Sequence, residues 1–165
     1  MTQKMFKIHP DANKWFKNIK ESSISSPLFT EAFDVYYLCL LYGITQGERD
    51  IKNLNNAEDI LKGFTQKHSK SQYSILTLLM MAYAEQRSLD LTNKDDLQTI
   101  LDIFIDSEKL TGFSDEAVDK MNQYAYAGFE SLAAKVPNLT NSAIGIGVIY
   151  ADLHNKMEKF VQKFN

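Results

Sequence analysis

The chain is poor in the residues that staple folds or build common active sites: one cysteine, three histidines, three prolines and seven glycines among 165 residues. A lone cysteine, Cys39, excludes an internal disulfide and a thiolate zinc cluster. Its place inside an apolar run marks it as a buried, inert thiol of a reducing compartment. His9, His68 and His154 fall in neither His-x-x-x-His nor Glu-x-x-His spacing, which removes the zincin and di-iron patterns. Scarce proline and glycine favour long helices over many short strands joined by turns. No stretch approaches the roughly 20 apolar residues that span a bilayer. Residues Met1–Lys7 carry no secretory core. A cytoplasmic protein without a membrane partner is expected.

Catalytic signatures are equally scarce. There is no Walker loop, no Gly-x-Ser-x-Gly and no suggestive Cys/His spacing. Gly145-Ile146-Gly147 lacks the strand and third glycine of a nucleotide fingerprint, and reads as small residues that let a helix pack closely. The segment Asp106–Gly112 resembles a calcium loop only briefly, because glycine stands at its seventh position and Leu110 at its fifth. His154 and Glu158 lie one turn apart and suit a surface hydrogen bond. On these grounds no catalytic, cofactor-binding or metal-ligating residue is expected, and the chain reads as a non-enzyme.

What is present is apolar helix. Phe29–Leu41 is interrupted only by Thr30, Glu31 and Asp34 among clearly polar residues, so a helix over about 28–43 must be enclosed on nearly every side. Gly43 and Gly47 are placed to supply the positive φ of helix ends. Ala12, Trp15, Phe16 and Ile19 form the stripe of an earlier amphipathic helix, and residues 21–27 read as a linker. Further helices are expected over about 57–68, with Ile60, Leu61 and Phe64 on one face, and over 71–87. A helix capped by Thr92 follows, then one from Ser114 to about Lys135, then one opening at Thr140 or Asn141. No convincing strand pattern appears. The expectation is all-α: a single domain over 1–165, a bundle of six or seven helices with 28–43 and 71–87 at its centre, and residues 1–10 as an extended N-terminal arm.

Net charge is −3 but uneven. Lys4, Lys7, Lys14, Lys17 and Lys20 face only Asp11 in the first twenty residues, whereas residues 90–119 hold nine acids against Lys94 and Lys109. With Trp15, the five lysines form the one basic and aromatic cluster, a candidate contact for nucleic acid or for a protein partner.

Asp34-Val35-Tyr36-Tyr37-Leu38-Cys39-Leu40-Leu41-Tyr42-Gly43-Ile44-Thr45-Gln46-Gly47-Glu48-Arg49 resembles a segment of small accessory proteins encoded beside bacterial DNA-phosphorothioation genes. Asp34, Gly43, Gly47 and Arg49 fall on the matching positions, while Tyr37, Cys39 and Leu40 replace the small residues usual there. The resemblance implies a bacterial setting in phage defence or DNA modification, and no catalytic residues. The expected function is therefore a non-catalytic helical subunit or adaptor working through protein–protein contacts, as an oligomer or with another protein. The alternatives are a small nucleic-acid-binding protein using the basic N-terminal region and an enzyme with an unrecognised site.

Overall fold

Two helices that are buried on almost every side, α2 (Ala32–Gln46) and α5 (Asp115–Lys135), pack against each other more extensively than any other pair of elements. The computed structural model describes residues 4–22, 29–47, 49–136 and 143–164. Around the central pair, in chain order, lie strand β1 (Phe6–Ile8), α1 (Ala12–Ser22), strand β2 (Glu58–Leu61), α3 (Gln72–Arg87), α4 (Lys94–Phe104) and α6 (Ala143–Gln162). The described residues thus hold six α-helices and one two-stranded antiparallel sheet, and the fold is mainly α.

Local chemistry explains most boundaries. Ser114 caps α5 by accepting the Ala117 N–H, and Asp115 and Glu116 follow at the positive end of the helix dipole. Asn93, rather than Thr92, caps α4 by accepting from the Asp95 and Asp96 amides. Thr92 bonds instead to Asp90. Gly47 ends α2 in the left-handed region at φ 68°, where a side chain is disfavoured. Asp34 closes the start of that helix by accepting the Glu31 N–H at 2.9 Å. The expected openers of α6, Thr140 and Asn141, lie outside the described residues.

Four expectations are corrected. Gly43 is no helix end. It sits inside α2, and a Cβ there would lie 2.0 Å from the Tyr124 carbonyl oxygen. Gly128 faces it from α5, where a Cβ would lie 1.9 Å from the Cys39 carbonyl oxygen. This close approach makes α5, rather than α3, the main partner of α2. By contrast, Gly147 meets nothing within 4 Å, so it is not a packing glycine. The helix expected over 57–68 is absent, because residues 58–61 pair with β1 in the register Phe6↔Leu61, Lys7↔Asp59, Ile8↔Glu58. Phe6 and Ile8 are fully buried, and Phe6 meets Phe33 and Phe64 edge-on at 5.3 and 5.2 Å. Burying those two side chains is worth more than a short helix interrupted by Gly63.

Asn122, buried on α5, ties three elements together. Its Oδ1 accepts from the Lys7 amide at 2.9 Å and from the Tyr36 hydroxyl at 3.0 Å, and its Nδ2 donates to the Met5 carbonyl at 3.0 Å. On the far side of α2, Tyr42 donates to Asp152 of α6, which also pairs with Lys135 of α5.

Candidate active site

The polar start of α2 folds back on itself. Thr30 and Glu31 point their backbone N–H groups at Asp34 Oδ2, at 2.7 and 2.9 Å, and Thr30 Oγ1 donates to the same oxygen at 3.2 Å. The other carboxylate oxygen, Oδ1, receives Lys67 Nζ at 2.6 Å and His68 Nε2 at 2.7 Å. The Asp34 side chain is 5% exposed and that of His68 8%, whereas Lys67 reaches solvent at 46%. Burial works against the Asp34 charge, but Lys67, the two amides and His68 outweigh it and hold the carboxyl well below the ordinary carboxylate range.

An ionised carboxylate only accepts hydrogen bonds. His68 Nε2 must therefore carry the proton it shares with Asp34, and in the neutral ring Nδ1 is left as the basic nitrogen. The ring is wedged between Phe33 and Tyr37, with centroids 5.0 and 5.4 Å away. Its backbone is held in a turn, with the His68 N–H on Thr65 O and the Ser71 N–H on His68 O, both at 3.0 Å.

These groups form one wall of a cavity of about 210 Å³. Phe29, Leu38, Leu41 and Leu153 supply apolar surface, and Tyr37 and Tyr150 complete the lining. Burial raises the pKa of both tyrosines, and the Asp34 charge raises that of Tyr150 further, so both stay protonated donors at neutral pH. The arrangement of carboxylate, imidazole, ammonium and two phenols beside an apolar hollow is suited to acid–base chemistry on a small part of a larger substrate.

The basic residues proposed from sequence are not gathered there. Lys4 pairs with Asp119, and Lys7 with Asp59 at 3.4 Å. With Gln123, both lysines line a separate polar hollow of about 300 Å³. Lys14 and Lys17 are exposed on α1. Trp15 packs against Phe16 at 4.6 Å and Phe129 at 6.0 Å. The Lys20 side chain lies outside what the structure describes. Of the motif-like set, Asp34 is in the site, Gly43 and Gly47 shape α2, and Arg49 lies 5.9 Å over the Tyr124 ring. Sequence reading missed Lys67 and His68, because nothing local links them to Asp34 some thirty positions earlier.

Among the described residues, no group of three or more His, Cys, Asp and Glu side chains could hold a metal ion. No helix there is long and apolar enough to cross a membrane.

Fold and cavity together define a mainly helical protein with a buried Asp34–His68 pair and Lys67 at the edge of a small cavity. The family model for peptidase family M49 matches residues 17–125, about two-thirds of the chain. The chain belongs to that family. The match contains Asp34, Lys67 and His68. No curated protein and no solved structure matches the chain. Membership of a peptidase family overturns the likeness to phosphorothioation accessory proteins, which rested on sixteen residues whose two glycines answer to helix packing at Gly43 and to a helix end at Gly47. It equally overturns the expectation of a non-catalytic adaptor and non-enzyme; the enzyme alternative fits better.

Proposed function

We propose that this chain hydrolyses peptide bonds at the cavity beside Asp34, with His68 as general base. The carrying observation is the Asp34–His68 pair at 2.7 Å, buried and opening on a hollow within the segment that matches a peptidase family. Asp34 fixes the imidazole tautomer, and His68 Nδ1 takes a proton from water. The water oxygen bonds to the peptide carbonyl carbon. As the carbon–nitrogen bond breaks, the same proton passes to the departing amine. The Lys67 ammonium and the Tyr150 hydroxyl line the same cavity and supply positive charge and a donor for the oxyanion. No step runs through a metal, because the described residues do not supply a ligand set.

The purified chain should cleave members of a mixed library of fluorogenic peptides, and Lys67→Met should slow cleavage at least tenfold with the fold intact by circular dichroism. A wild-type chain that leaves the whole library uncut overturns the reading.

A further inference from the structure

A hollow of about 750 Å³ lies away from Asp34, where the C-terminal halves of α3 and α6 meet the loop 88–92. Its size is that of a ligand site. Met81, Leu89, Leu91, Val161 and Phe164 give it apolar walls. From α3, Thr77, Met81, Ala84 and Glu85 line it at helical spacing, a stripe about 12 Å long. At Val161 it meets a second hollow of about 370 Å³, formed by one face of α6 that includes His154, Met157 and Glu158. Val161 is 38% exposed although apolar.

We propose that this groove receives the apolar face of a basic amphipathic helix from a partner peptide. Both long walls are helices whose backbone groups are already bonded, so an extended strand finds no ladder to join, whereas a helix can seat side chains at every third and fourth position. Met81 and Met157 give the walls the adaptability such grooves use. Charge selects the sign of the partner. Glu85, Asp90 and Glu158 line the two hollows against one cation, Lys163, which is already paired with Glu85 at 2.5 Å. Asp96 is drawn to the same corner by the Asp90 amide, and the acid-rich α4 begins beside it. A lysine-rich helix is attracted there and a glutamate-rich one repelled.

Fluorescence anisotropy of two labelled amphipathic peptides, identical except for lysine or glutamate on the polar face, tests this on the full chain. The lysine peptide should bind saturably and more weakly as salt rises. Val161→Asn and Glu158→Lys, both surface changes, should each weaken it about tenfold. Equal binding of the glutamate peptide, no binding of either, or indifference to both substitutions overturns the proposal. So does a dimer in solution that Val161→Asn dissociates, because the occupant is then a second copy. None of these readings needs hydrolysis, so they stand apart from the fate of the Asp34 cavity.

Discussion

Gly43 and Gly128 face each other where α2 crosses α5, and neither backbone leaves room for a methyl group. A Cβ on either residue would meet a carbonyl oxygen of the other helix at 2.0 Å or less. Backbone cannot swing aside as a side-chain tip can, so the two helices would have to separate along their whole contact. Gly43→Ala and Gly128→Ala should each cost about 3 kcal/mol in urea unfolding. Gly147→Ala, on an open face of α6, should instead gain about 0.5–1 kcal/mol, because alanine suits a helix and nothing stands in its way. A neutral Gly43→Ala would mean that the crossing is not this close.

Asp34 should make stability depend on pH in a defined direction. Its folded pKa is depressed, so the stability it contributes is complete above the unfolded carboxyl value near 4 and is lost as pH falls toward the folded value. Asp34→Asn removes that dependence and leaves Lys67 and His68 without their anion. The variant should be about 3 kcal/mol less stable at pH 7. Its unfolding midpoint should also change less than the wild type's between pH 5 and pH 2. Parallel curves for the two proteins would show that Asp34 carries no such coupling.

Cys39 is fully buried in α2, and burial pushes its thiol well above the usual range. The thiolate is the reactive form, so both access and chemistry protect it. A thiol reagent should modify the folded chain at least ~10³-fold more slowly than the chain in denaturant, as expected when reaction waits for unfolding. Rapid labelling under native conditions would place Cys39 at an accessible surface.

Much of this architecture was legible in local sequence, and what was missed is non-local. The helix from Ser114 to Lys135 is announced by its cap, its first-turn acids and its apolar spacing, and α5 has those bounds. The enclosed helix of the run Phe29–Leu41 is also present, shifted to Ala32–Gln46 because Asp34 must sit in its first turn to receive the Thr30 and Glu31 amides. The strands β1 and β2 are too short to alternate visibly, and each is defined by a partner some fifty residues away. Gly43 reads locally as a helix end, and only the neighbouring Tyr124 carbonyl shows it to be a close approach. For the site the limit is the same. Asp34 stood out as an acid in an apolar run, but the turn that carries Lys67 and His68 to it has no marker of its own.

His68 allows its two roles, brace and base, to be separated. In His68→Gln the side-chain amide can still donate to Asp34 Oδ1 from near the position of Nε2, but no basic nitrogen remains. Stability should therefore stay within about 1 kcal/mol of wild type, while peptide hydrolysis should drop by about 10²–10⁴-fold, the range for a lost general base. His68→Ala removes both functions, so it should lose hydrolysis to a similar extent and also about 2–3 kcal/mol of stability, because the buried carboxylate then lacks one donor. If His68→Gln retains the wild-type rate, the imidazole is a brace for Asp34 and the proton is taken elsewhere in the cavity.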